Sequence, residues 1–249
     1  MNQNINKFSD KAENYAKYRL DYSNKILEYF SEYNFNNNSV IADIGSGTGK
    51  LSKIFLDNGN MVYGIEPNDN MREMANKLLM GFDKFVSVNG SAENTTLQNG
   101  IIDFVVVGQA FHWFDANKAL YEFKRIIKNN GVLALIWYHR KTDTPFWNEY
   151  ENILIKNIPE YKGNIHRNYT NEEIKKYFVR EYRKIELESS RELSFNEVMG
   201  SFSSGSYAPK EDTMEYKKIN NLFDKIFNDY NKDNKIICNY GFEIYMGKI

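Results

Sequence analysis

The chain holds a single cysteine, Cys238, among 249 residues, so no intrachain disulfide can form and a reducing compartment is expected. An excess of one charge is also lacking. The 32 basic residues are matched by 33 acidic ones, for a formal net charge of −1. That balance lays no basic track for a nucleic-acid backbone, and no nucleic-acid partner is expected. No apolar run is long enough to span a bilayer, and residues 1–10 lack the apolar core of a secretory signal. A cytoplasmic enzyme with no membrane partner and no metal fits these absences, as a monomer or homodimer. The length suits a single domain over residues 1–249, an α/β core carrying an inserted or appended element.

What the chain does have is Val40-Ile41-Ala42-Asp43-Ile44-Gly45-Ser46-Gly47-Thr48-Gly49. A short apolar run, read as a buried parallel strand, ends in an acid followed by glycines at alternate positions. Glycines there let the backbone pass close to a ligand. After them, Leu51, Ile54 and Phe55 share one helical face. Strand, glycine turn and helix open a nucleotide-binding βαβ unit. The spacing narrows the ligand. A dinucleotide fingerprint counted from Gly45 needs a small residue where Lys50 stands. A phosphate-cradling loop needs Ser or Thr where Leu51 stands, and glycine where Ile44 stands.

Further apolar runs extend the pattern. Met61–Ile65, Phe85–Val88, Ile101–Val107 and Val132–Trp137 read as strands. Helices fall between them: one begins at Asn68, and another runs from Asp115 to a stop at Asn129-Asn130-Gly131. This alternation calls for a doubly wound parallel sheet. After Arg140 the pattern changes. Pro145–Asn157 reads as a helix, Thr170-x-x-Glu173 and Ser194-x-x-Glu197 as capping boxes, and Tyr182–Leu193 as a strand with one wet face. A long helix through Ile219 and Tyr230 precedes a last strand, Ile236–Met246. Residues 141–181 and 195–212 are expected to cap the ligand edge of the sheet, and residues 1–22 to form a lid.

Several side chains are placed for chemistry. Glu66 ends the second strand, where an acid meets a ribose and can accept from both hydroxyls. Pro67, Asn68 and Met71 follow it, with Met71 able to pack beside an adenosine. Gly90-Ser91-Ala92-Glu93 is small enough for a purine to approach, and Glu93 can accept from an amino group. Gln109-Ala110-Phe111-His112-Trp113-Phe114 follows the fourth strand, over the edge where such sheets bind ligands. Phe111 and Trp113 could flank a cationic ligand there.

Taken in order, Ala42-Asp43-x-Gly-x-Gly-x-Gly, Gly64-Ile65-Glu66-Pro67-Asn68, Gly90-Ser91-Ala92-Glu93 and Gln109–Phe114 resemble the motifs of class I S-adenosylmethionine-dependent methyltransferases. The resemblance covers about residues 8 to 140. It is similar to the small-molecule branch that includes trans-aconitate methyltransferases. Tyr15-Ala16-Lys17-Tyr18-Arg19 resembles that branch's lid, although Leu20 replaces a frequent proline and Trp137-Tyr138 stands where Trp-Asn is frequent. The resemblance implies a seven-stranded sheet with its last strand antiparallel, and a helical cap in the C-terminal half. It implies S-adenosylmethionine as cofactor, bound by Tyr18, Asp43, Gly45, Ser46, Gly47, Thr48, Gly49, Glu66, Pro67, Asn68, Met71, Ser91, Ala92, Glu93, Gln109, Ala110 and Phe111. The expected acceptor is a small molecule methylated on oxygen or nitrogen, possible acceptors including a carboxylate held by Arg19, with His112 as orienting group or base. Phe111, Trp113, Trp137, Tyr138 and Trp147 are expected around it. Two other classes remain open at this point. An NAD-dependent oxidoreductase or epimerase shares the βαβ start but lacks a Tyr-x-x-x-Lys pair here. A non-catalytic S-adenosylmethionine-binding protein would share every donor motif.

Overall fold

A computed structural model describes residues 11–161, 163, 169–179 and 181–249. The chain opens with α1 (Ala12–Tyr18) and α2 (Ile26–Phe30). It then alternates through β1 (Val40–Ile44), α3 (Lys50–Asp57), β2 (Met61–Ile65), α4 (Asp69–Leu79), β3 (Phe85–Val88), β4 (Ile102–Gly108), α5 (Ala116–Ile126) and β5 (Ile127–Arg140). The second half adds α6 (Pro145–Asn157), α7 (Asn171–Lys175), β6 (Arg183–Leu193), α8 (Phe195–Ser203), α9 (Met214–Tyr230) and β7 (Ile236–Gly247). The seven strands form one sheet in the order β3-β2-β1-β4-β5-β7-β6. Strands β1 to β5 pair in parallel, and β7 runs antiparallel to both β5 and β6. This is the seven-stranded doubly wound α/β sheet expected above.

Strand parity decides which core each side chain joins. Ile41, Val62, Phe104, Val106, Val132, Ala134 and Ile136 face one side, where they meet Phe30 of α2 and Ile54 and Phe55 of α3. Ala42, Ile44, Val105, Val107, Leu133, Leu135 and Trp137 face the other, against Ala119, Phe123 and Ile126 of α5. Burial on both faces explains why these strands read as continuous apolar runs. A third cluster joins Phe146, Trp147, Tyr150, Val198, Phe202, Ile219 and Phe223 of α6, α8 and α9 to Leu193, Ile236 and Phe242 of β6 and β7. Tyr150 and Phe223 stack with centroids 4.2 Å apart and planes 8° apart, tying α6 to α9.

The caps follow the sequence. Asn68 accepts from Met71 N, Asp115 from Lys118 N, and both capping boxes form at Thr170 and Ser194. Two boundaries differ. Asn129-Asn130-Gly131 does not separate helix from strand, because β5 already starts at Ile127, the C-cap of α5, and its pairing with β4 shifts register before Val132. Residues 12–18, expected only as a lid, are the helix α1. Among the described residues, no helix is long and apolar enough to cross a membrane.

Candidate active site

The turns after β1, β2, β3 and β4 meet at one edge of the sheet, where the strands' carboxyl ends lie. They enclose a cleft with about 840 Å³ of space, partly open to solvent. Its floor is the glycine turn. Gly45 N and Ser46 N donate to Ile65 O at 2.8 and 3.1 Å, locking the turn against β2. Gly45 has φ +69°, and a Cβ there would stand 2.7 Å from Ala110 Cβ. Only glycine lets the turns after β1 and β4 come this close. Gly47 lines the cleft with nothing within 4 Å of where its Cβ would be.

Glu66 forms one wall and is buried. Its Oε2 accepts from Gly47 N at 3.0 Å and its Oε1 from Asn68 N at 2.9 Å. Burial raises its pKa, against the pull of those two N–H groups. Each oxygen keeps acceptor capacity, so a vicinal diol fits this carboxylate. Pro67, Asn68 and Met71 continue that wall, and Ser91, Ala92 and Glu93 form the next. Glu93 Oε1 also accepts from Asp115 N at 2.9 Å, which ties it to the start of α5. Tyr15, Trp113 and Phe114 supply aromatic surface opposite, beside Gly108, Gln109 and Ala110.

A second, more polar cavity of about 930 Å³ adjoins the cleft. Tyr15, Gln109 and Trp113 line both. Arg19, His112, Tyr138, His139, Arg140, Ser201 and Ser206 face the second space. Arg19 reaches Ser204 O at 3.4 Å and lies 5.3 Å from the Tyr15 ring centroid. Arg140 lies 4.6 and 4.1 Å from the ring centroids of Trp147 and Tyr150, and 3.4 Å from Glu151 Oε2. Nε of Arg19, Nε of Arg140 and Nδ1 of His112 are buried without a hydrogen-bond partner among the described residues. Burial, helped by the charge on Arg19, holds the His112 imidazole down at about 4. His112 is therefore neutral at physiological pH.

Some expected residues lie elsewhere. Tyr18 is outside the cleft, its ring packed where a Cβ on Gly200 of α8 would be, and Tyr15 takes the place expected for it. Phe111 is fully buried against Trp137 and Tyr177, so Trp113 and Phe114 present the rings instead. Trp137 and Trp147 are also core side chains, which leaves Trp113 and Tyr138 of that aromatic set in the second cavity. Asp43 is buried behind the floor, accepting from Ser52 Oγ at 2.6 Å, with its pKa raised by burial to about 7. It borders, with Ser46, a small void beside the cleft. Thr48 is buried, and Gly49 backs onto Leu79 of α4, 2.5 Å from where its Cβ would be. The turn thus needs these residues to hold its shape rather than to line the cleft. Arg140 and His139 were not singled out from sequence, and Tyr15 was read only as part of the lid. Arg140 closes an apolar strand with no motif around it, and its partners on α6 arrive only through the fold.

A methyltransferase-domain family matches residues 42–135 of the chain. An uncharacterised methyltransferase of Schizosaccharomyces pombe is 30% identical over 227 residues, 88% of this chain and 86% of that protein. An uncharacterised methyltransferase of Mycobacterium bovis is 34% identical over 100 residues, 40% of each chain. Among solved structures, a proposed type II methyltransferase from Anaeromyxobacter dehalogenans shares the fold with a TM-score of 0.62 at 17% identity, covering 92% of this chain and 97% of that one. A phosphoethanolamine N-methyltransferase of Haemonchus contortus, solved with S-adenosylhomocysteine, shares it at 0.53 and 14% identity, over 99% of this chain and 58% of that one. The chain belongs to the methyltransferase family. It is a class I S-adenosylmethionine-dependent enzyme, and the nicotinamide and non-catalytic alternatives are set aside.

Proposed function

We propose that the protein methylates a carboxylate on a small-molecule acceptor, with the donor in the glycine-floored cleft and the acceptor in the adjoining cavity. The observation that carries this reading is the pair of half-buried arginines, Arg19 and Arg140, whose Nε atoms are buried without a partner among the described residues, in a cavity that shares a wall with the cleft. A planar fork of N–H donors suits a carboxylate. The branch with trans-aconitate methyltransferases, stated above as a resemblance, is consistent with it. The near-neutral charge of the chain favours a small acceptor over a polyanion.

When bound, S-adenosylmethionine would supply a methyl group activated by its positive sulfur, passing to an acceptor lone pair with S-adenosylhomocysteine as the product. The protein's own work is then to orient and to exclude water. Glu66 would hold the ribose hydroxyls, with Gly45 and Gly47 giving close approach. The other cleft-lining residues, Pro67, Asn68, Met71, Ser91, Ala92, Glu93, Gln109 and Ala110, shape the adenosine side. Arg19 orients the acceptor's carboxylate. An imidazole that titrates near 4 is a poor base for a hydroxyl, and a carboxylate acceptor arrives deprotonated. His112 therefore serves as an orienting group. α1 supplies the lid, with the segments around α6 and α8 as cap, in a cytoplasmic enzyme.

A donor-consumption assay over a library of small acids, alcohols and amines, set beside RNA, DNA and protein, tests the proposal. Turnover confined to carboxylates is expected, with Arg19→Ala losing far more rate than His112→Ala. Turnover only on alcohols, amines or macromolecules, or the reverse ranking of the two variants, overturns it.

A further inference from the structure

We propose that Gln109 is the positioning residue that fixes where donor and acceptor meet. This inference rests on the two-chamber reading above and adds to it the identity of the partition. Gln109, with Tyr15 and Trp113, lines both spaces, so the transferred methyl has to sit within the frame these three make. In-line transfer requires the reacting atoms within near-contact distance, and the residues common to both chambers set that distance.

Two features separate Gln109 from a mere link after β4. Its backbone is left-handed, with φ +55°. Other described non-glycine residues with positive φ are Asn34, Asp233 and Asn234, types that tolerate this conformation, and Thr96, which is exposed. A link alone would favour glycine or asparagine, whereas a strained glutamine persists where its surroundings over-determine it. Those surroundings are present. The backbone N–H donates to Ile136 O at 2.9 Å, and Nε2 donates to Tyr138 O at 2.5 Å. Both anchors are on β5, two residues apart, so the side chain is held along the end of that strand at the mouth between the chambers. Gly108 before it leaves room, since a Cβ there would lie 2.6 Å from Tyr22 Oη.

The test compares S-adenosylmethionine with S-adenosylhomocysteine, which differ only at the sulfur: a methyl group and its charge. Calorimetry gives the affinity of each for the native protein and for Gln109→Asn, Gln109→Leu and Glu66→Gln. Asparagine keeps the carboxamide but withdraws it by one methylene. Gln109→Asn should lower the affinity for S-adenosylmethionine relative to S-adenosylhomocysteine by about threefold or more, the scale of one lost hydrogen-bonding group. Its thermal midpoint without ligand should stay close to the native one, because asparagine's easier left-handed backbone offsets the lost hydrogen bond to Tyr138 O. Glu66→Gln should weaken both ligands by the same factor. An unchanged ratio in both Gln109 variants overturns the proposal, as does a Gln109→Asn variant that fails to fold. Equal binding of both ligands by Glu66→Gln and native protein instead removes the donor site itself, and the partition falls with it.

Discussion

Replacing Glu66 with glutamine tests the donor site with the smallest change in shape. The carboxylate accepts from Gly47 N and Asn68 N, one bond to each oxygen, and its remaining acceptor capacity faces the cleft. An amide has one oxygen. One of the two backbone N–H groups must then face an NH₂, and one of the two ribose contacts loses its acceptor. A hydrogen bond to a charged group is worth about 1.5–3 kcal/mol, so donor affinity should fall roughly 10- to 150-fold. Stability responds less clearly. An unpartnered buried N–H costs about 1–3 kcal/mol, yet the substitution also removes a charge whose burial is itself unfavourable, as the raised pKa of Glu66 shows. Affinity is therefore the quantity to measure, by titration calorimetry with S-adenosylhomocysteine near pH 7.5. Unchanged affinity in Glu66→Gln, or tight binding of NAD by the native protein, would refute the assignment.

Other predictions concern the scaffold and its titration. Gly45→Ala places a left-handed alanine 2.7 Å from Ala110 Cβ; strain and overpacking together should cost about 2–4 kcal/mol in urea unfolding, and a loss under about 0.5 kcal/mol would contradict the close approach of the two turns. The folded pKa of Asp43 is raised from 3.8 to about 7, so its stabilising contribution is complete below the lower value and is lost as pH rises through the upper one. Asp43→Asn should remove that loss, and its stability relative to native should climb between pH 4 and 8; a constant difference would speak against a buried, proton-holding Asp43. The folded pKa of His112 is lowered from 6.5 to about 4, so its contribution is complete above the upper value and is lost as pH falls through the lower one. In NMR titration its imidazole should stay neutral at pH 5.5, and a midpoint near 6.5 would place it in solvent instead.

The strands were legible because burial on both sheet faces leaves an apolar run that polar loops bound, and because caps such as Asn68 and Asp115 mark helix starts by their own hydrogen bonds. The start of β5 was not, since Asn129-Asn130-Gly131 carries turn chemistry while the sheet holds it as strand. Local sequence could not say that Tyr15 on α1 and Arg19, the extended residue that ends it, both face the site while Tyr18 turns toward α8. Nor could it tell Phe111 from Trp113, because a single 3-10 turn sends one ring into the core and the other into the cleft. Glu66 was recoverable from its place after a strand and a glycine turn. Arg140 was not, because what marks it is a set of partners, Trp147, Tyr150 and Glu151, that come from the following helix.

The proposed arrangement has two ligand spaces that meet at Tyr15, Gln109 and Trp113. A crystal structure with S-adenosylhomocysteine and a small carboxylate tests it most directly. Density for the nucleoside along Gly45 and Gly47 with both ribose hydroxyls on Glu66, the sulfur beside Gln109, and the carboxylate on Arg19 is the expected result. A nucleoside seated elsewhere, or a ribose turned away from Glu66, would contradict it.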